Sequence, residues 1–266
     1  VNDGVLHAMG ARGLLLALLI AGHVLADFLV QTGAMARRKR EHQAWVWLHV
    51  FLLTLVQGAV LLPVLSFFGV LMVLGIGISH GLIDHLKIIL ERRRPRALVH
   101  FAMDQSLHVL VLFGAWWGWC AAIEASAPAT RTFFFLPPAA VPTVTTAAVL
   151  AAAYAFNGNG GAAIVGGLLR RYHLAAVPRE MAREGIGSRG FRPLAMGRTI
   201  GILERLLALT LVLAGQWGAL GLVIAAKSIA RFKDLEHRRF AEYYLIGTLA
   251  SVLTAAVSGI LVRWAL

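Results

Sequence analysis

Eight runs of apolar residues dominate this chain, near 13–33, 45–64, 67–90, 98–122, 140–169, 197–215, 217–232 and 240–263. Most approach the roughly 20 residues that a helix needs to cross about 30 Å of hydrocarbon. Backbone groups in lipid must find their hydrogen bonds within the segment, so such spans fold as helices. The expected fold is therefore all-α, a polytopic transmembrane bundle of about eight spans. The pair joined through "GQWG" is the least regular, because its second run is short. Composition agrees: 59% of residues are hydrophobic and 14% charged, against about 25% charged in a soluble domain.

The net charge of +12 does not point to nucleic acid. Lys and Arg fall in short blocks between apolar runs: "ARRKREHQ", "ERRRPR", the stretch near 170–196, and "RFKDLEHRR". The alternate connections carry almost no positive charge. By the positive-inside rule the basic loops face the cytoplasm and both termini lie outside it. The expected location is the cytoplasmic membrane, and the bilayer is the first partner. The first run lacks a basic leader and a small-residue cleavage site, so it reads as a retained span. Trp45 and Trp47, and Trp116, Trp117 and Trp119, are placed as interfacial belts. The Pro-rich segment 125–142 reads as an external linker between a four-span half, 1–124, and a second half, 143–266. One cysteine, Cys120, excludes an internal disulfide and a cysteine-based metal cluster.

The informative residues are the polar ones inside these runs. His23, Asp27 and Gln31 recur at steps of four and share one helix face. His80, Asp84 and Lys87 form a second stripe, and His100, Asp104 and His108 a third. His49 adds a group from the second run. With the topology above, all of them fall at middle depth or in the cytoplasmic half. An Asp near the centre of a membrane helix costs about 2.5–3.5 kcal/mol on insertion scales, so these carboxylates require partners. Three chemistries supply them: a metal site of imidazole and carboxylate ligands, a proton or ion path, or interhelical hydrogen bonding alone.

The second half has its own polar set. Glu204 and Arg205 are adjacent, about 100° apart on a helix, and Glu204 is read as the group facing the bundle. Asn157 and Asn159 in "AFNGNGG" suit a close helix approach or a break in the helix. Lys227 lies at the inner end of the seventh run. Gly77 and Gly81 suit packing inside the bundle.

The stretches "HVLADFLVQ", "HGLIDHLK" and "DQSLHVL" resemble a bacterial membrane family known as domain of unknown function 3307, whose signature is similar to H-x-x-x-D-F-x-x-Q, H-x-x-I-D-x-x-K and D-Q-x-x-H. The resemblance implies a shared site at His23, Asp27, Gln31, His49, His80, Asp84, Lys87, Asp104, Gln105 and His108, and no activity. A looser likeness is to membrane-bound metal-dependent hydrolases.

The leading expectation is a divalent metal, zinc before manganese or iron, held by His23, Asp27, His49, His80, Asp84, Asp104 and His108. Asp84, Asp104, Lys87 and Glu204 are the catalytic candidates. Gln31, Gln105, Asn157 and Lys227 would support the ligands or the substrate. The reaction expected is hydrolysis of a phosphoester or another anionic substrate, an anionic lipid or a phosphorylated small molecule. A proton or cation transporter using the same groups is the alternative, and a structural membrane subunit the third.

Overall fold

A computed structural model describes residues 3–93, 96–125, 136–177 and 193–266. Helices α1 (Asp3–Leu25), α2 (Gly33–Arg38), α3 (Gln43–Leu61), α4 (Phe67–Arg93), α5 (Ala97–Ala125) and α6 (Val141–Ala155) come first. They are followed by α7 (Gly161–Arg171), α8 (Pro193–Leu213), α9 (Trp217–Ala230) and α10 (Arg238–Ala265). Two π-helical turns, Ala26–Val30 and Phe156–Gly160, continue α1 and join α6 to α7. The described residues contain no strand. The all-α expectation holds, because no other open structure satisfies its own backbone in lipid.

Among the described residues, six stretches are long and apolar enough to cross a membrane: Gly10–Val30, Gln43–Val64, Phe67–Arg93, Ala97–Ala122, Pro138–Arg171 and Arg238–Ala265. The other two expected spans are helical but fall short of that standard. Helix α9 has 14 residues, which at about 1.5 Å per residue is well under the hydrocarbon thickness. Helix α8 carries Arg198, Glu204 and Arg205 within its apolar stretch. The two are joined at Gly215, whose φ of 72° is the left-handed conformation that glycine tolerates.

The contacts divide the chain into two units. The first comprises 1–95 and 99–155, the second 96–98 and 156–266. The expected linker 125–142 and the basic segment near 170–196 lie largely outside the described residues.

In the first unit α1 packs on α3 and α6, and α3 on α4. Helix α4 turns Val73, Ile76, Gly77, His80, Gly81 and Asp84 inward, a ridge at three- and four-residue steps. Its glycines set how closely α4 meets α3. A Cβ on Gly77 would collide with Thr54 Oγ1, and one on Gly81 would come within 2.9 Å of Val50 Cγ2. Where lipid gives no hydrophobic drive between helices, such close backbone approach is what holds them.

Leu14, Leu15, Leu18, Leu19, Leu53, Leu61, Val73, Leu112 and Trp119 form the dry core of this unit. Trp119 is only 2% exposed and occupies the space a Cβ on Gly69 would need. It is therefore a core residue and not part of the interfacial belt expected for it, whereas Trp47 and Trp117 are exposed.

In the second unit α10 packs on α7 and α8. Its buried face is Tyr244, Thr248, Ser251, Ala255, Gly259 and Val262. A Cβ on Gly259 would meet Val212 Cγ1 at 2.5 Å, so this helix pair is also brought together by a small residue.

Candidate metal centre

The polar stripes of α1, α3, α4 and α5 meet inside the first unit. His23, Asp27, His49, His80, Asp84, Asp104 and His108 are all buried, none more than 8% exposed. Their register places them at the end of the bundle nearest α2, while the apolar core occupies the other end. Spacing alone explains part of this, since His23–Asp27, His80–Asp84 and Asp104–His108 are each one helical turn apart. The π turn at Ala26–Val30, closed by a bond from Gln31 N to Ala26 O, re-aims Asp27. π turns inside α-helices recur at functional sites.

Asp27 is the hub. Its Oδ1 lies 3.0 Å from His49 Nε2 and 3.4 Å from His80 Nε2. The two imidazole nitrogens are themselves 3.0 Å apart. The other oxygen, Oδ2, accepts a hydrogen bond from Gln105 Nε2 at 3.3 Å and lies 3.8 Å from His23 Nε2. Oδ1 thus faces His49 and His80, and Oδ2 faces His23. Two groups have donor atoms close enough for one ion, Asp27 with His49 and His80, and Asp27 with His23 and His108. The four rings are in contact in series, tilted from His49 to His80 at 5.0 Å, stacked from His80 to His108 at 4.1 Å and tilted from His108 to His23 at 4.9 Å between centroids.

Asp84 and Asp104, ligand candidates from the sequence, are each held by a lysine. Lys87 Nζ donates to Asp104 Oδ2 at 2.9 Å, and Gln105 donates to the same oxygen at 3.1 Å. Asp84 Oδ2 accepts from Lys39 Nζ at 2.5 Å, and Lys39 also donates to Gln31 Oε1. His85, next in sequence to Asp84, is exposed.

Lys39 is the residue that sequence reasoning missed. It sits among the charges of "ARRKREHQ", where its neighbours Arg38 and Arg40 are exposed and it alone is buried. Nothing in that run distinguishes it. Its position is set by α2, which starts where Thr32 Oγ1 accepts from Met35 N at 3.2 Å and is anchored by buried Met35. Gln57 was likewise unmarked. It is fully buried and donates to the Leu19 carbonyl at 3.1 Å, in the space a Cβ on Gly22 would need, so it ties α3 to α1 two turns from His49.

Charge and hydrogen bonding describe what the cluster lacks. Three carboxylates face two lysines, leaving one negative charge if the imidazoles are neutral. Several buried atoms find no hydrogen-bond partner among the described residues: His23 Nε2, His49 Nδ1, His80 Nδ1, both nitrogens of His108 and Asp104 Oδ1. Buried polar groups are ordinarily paired in more than nine cases of ten, so this site is unusually rich in unpaired ones, although none of them is a donor atom of the Asp27 Oδ1, His49 Nε2 and His80 Nε2 triangle. The donor set fits a metal. Atoms at roughly 2.0–2.1 Å from a tetrahedral zinc stand about 3.3 Å from one another, and the Asp27, His49 and His80 atoms are separated by 3.0, 3.0 and 3.4 Å.

Residues 14–133 match the family described as "Protein of unknown function (DUF3307)". The resemblance read from the motifs is thereby shown for that stretch, which contains Lys39 and every residue of the cluster. The second unit's polar residues lie beyond it. The chain matches no curated protein and no solved structure, and the looser likeness to metal-dependent hydrolases has no support from these comparisons.

The remaining sequence candidates, Glu204, Asn157 and Lys227, belong to the second unit. The expectation that Glu204 faces inward in preference to Arg205 is reversed: Arg205 is 3% exposed and Glu204 is half-buried. The cause is the π turn at Phe156–Gly160. "FNGNG" does not break the helix but turns the Asn157 and Gly158 carbonyls toward α8. Arg205 donates to them from Nε at 2.7 Å and Nη2 at 2.9 Å, and to Ser251 Oγ from Nη1 at 3.2 Å. Gly161 leaves room for this guanidinium, since a Cβ there would meet Nε at 2.6 Å. Lys227 Nζ donates to Glu204 Oε2 at 2.6 Å and to Thr248 Oγ1 at 3.1 Å.

Proposed function

We propose that the first unit holds one divalent transition-metal ion within the membrane, zinc before manganese or iron, on Asp27 Oδ1, His49 Nε2 and His80 Nε2. The observation that carries this reading is the triangle of donor atoms with sides of 3.0, 3.0 and 3.4 Å. Charge favours one ion over two. A single dication changes the residual charge from minus one to plus one, whereas a second, at His23 and His108, would leave three uncompensated positive charges in a low-dielectric interior.

We assign to this centre the hydrolysis of a phosphoester or similarly anionic, lipid-like substrate. When bound, such an ion polarises an electrophile and activates water at neutral pH. Asp104 Oδ1, buried and without a hydrogen-bond partner among the described residues, is the spare carboxylate oxygen suited to accept a proton. Lys87, at the partly exposed edge of the cluster, suits an anionic group of the substrate. Arg37, Arg38 and Arg40 are exposed beside the same end of the bundle and favour anions there. By the positive-inside rule that end faces the cytoplasm of a bacterial inner membrane. A thiol introduced at Lys233 in a Cys120→Ser background should stay unlabelled by an impermeant reagent outside intact cells; labelling there would reverse the orientation.

Metal analysis of the detergent-purified protein tests the main reading. One zinc ion per chain should survive dialysis, and Asp27→Asn, His49→Ala and His80→Ala should each lose it. Absence of stoichiometric metal from folded protein would reject it.

A second reading, a proton or cation path, is favoured by the contact between His49 Nε2 and His80 Nε2, which also suits one proton shared by two imidazoles. It predicts Asp27-dependent ion flux into proteoliposomes without bound metal.

A further inference from the structure

Lys39 occupies an unusual place. Its ammonium is buried 7% exposed at the end of an otherwise polar, exposed segment, and its two acceptors are Asp84 Oδ2 and Gln31 Oε1. That Asp84 oxygen is 3.7 Å from His80 Nε2, the nitrogen that also faces Asp27. Asp84 is thus one short movement from joining the donor triangle, and the lysine holds it away. The segment carrying Lys39 is tied down at the next residue, Arg40. Arg40 pairs with Glu91 Oε2 at 3.0 Å, and Arg92 Nη2 donates to the Arg40 carbonyl at 2.6 Å. These contacts tie the α2 segment to the end of the helix that carries His80 and Asp84.

We infer that Lys39 is a tethered counter-cation of the metal site, keeping Asp84 out of the ion's ligand set and thereby setting the affinity of the site. The inference rests on the metal reading above and adds a regulator to it. With Lys39 docked, the cluster offers an ion one carboxylate and a residual charge of minus one. With Lys39 withdrawn, it offers two carboxylates and a charge of minus two. Movement of the α2 segment would then change metal affinity without touching Asp27, His49 or His80.

Cobalt(II) titration of the full-length protein in detergent, read by visible absorption with zinc as competitor, tests the inference with four proteins in three charge states. Lys39→Met should bind cobalt tighter than wild type by about tenfold or more, because a buried cation that reaches the site through the single carboxylate of Asp84 is removed in a medium of low dielectric constant. Asp84→Asn, which leaves Lys39 buried and unopposed, should bind more weakly by a similar factor. The double variant Lys39→Met/Asp84→Asn restores the wild-type charge and should return to wild-type affinity. An unchanged or weaker affinity in Lys39→Met would make Lys39 merely structural and overturn the inference. So would a double variant as weak as Asp84→Asn, since Asp84 would then itself be a ligand.

If Lys39→Met does not yield folded protein, the comparison of Asp84→Asn with the double variant still decides. The double variant buries no unpaired charge, and it must recover the affinity that Asp84→Asn loses. Wild-type protein that binds no cobalt or zinc at all would reject the metal reading itself, a result distinct from wild-type binding with the wrong order of variants.

Discussion

Both units bury charge among apolar helices, and they satisfy it differently. In the second unit Arg205 finds two carbonyls and a hydroxyl, and Lys227 finds Glu204 and Thr248. Each of those contacts ties one helix to another. In the first unit two carboxylates have lysines, but Asp27 has histidines and the Gln105 amide and no cation, and several histidine nitrogens find no hydrogen-bond partner among the described residues. The difference separates polar groups that hold helices together from polar groups arranged for something else. A membrane interior makes the distinction sharp, because an unpaired polar atom there has no water to fall back on.

The comparison can be broken by substitution in either unit. The largest effect should come from Asp27→Asn, which removes the hub of the first cluster. Bound zinc, measured by elemental analysis, should fall to background while the protein still elutes as a folded species in detergent. The matching change in the second unit, Arg205→Met, should leave bound zinc unchanged. It should lower stability by roughly 2–5 kcal/mol, because the carbonyls of Asn157 and Gly158 lose their donors. Denaturant unfolding in mixed micelles measures this, and zinc loss on Arg205→Met would erase the distinction drawn here.

A smaller effect tests how packing sets the geometry. Gly81→Ala places a Cβ within 2.9 Å of Val50 Cγ2, so the Val50 side chain or α4 itself must shift. Overpacking of this kind costs about 1–3 kcal/mol, and by moving His80 relative to His49 it should also weaken zinc binding. Gly259→Ala, in the second unit, should cost a similar amount of stability with no effect on zinc. The smallest effect belongs to Lys227→Met with Glu204→Gln. This partly exposed pair should contribute about 0.2–1 kcal/mol, measured as the coupling term of a double-mutant cycle. A coupling several times larger would mean that the second unit's charges do more than join helices.

The apolar runs determined the fold class, because chain in lipid has few ways to satisfy its own backbone. The four-residue steps of His23–Asp27, His80–Asp84 and Asp104–His108 determined which side chains share a helix face, since helical periodicity is local. Those steps were enough to foresee one cluster. Span count was less legible. The shortness of the seventh run and the charges in the sixth are visible in the sequence, but run length alone does not say where each helix begins and ends.

Tertiary structure decided the rest. Which carboxylate meets histidines and which meets lysine depends on how four helices are rotated against one another, and helix rotation is set by contacts such as Gly77 against Thr54 and Gly81 against Val50. The choice between Glu204 and Arg205 depended on a π turn in another helix, whose displaced carbonyls needed a donor. Lys39 could not be separated from its basic neighbours until α2 folded it back beneath Asp84. Sequence periodicity fixes directions within one helix, but the partner of a buried charge lies on another, and only packing brings the two together.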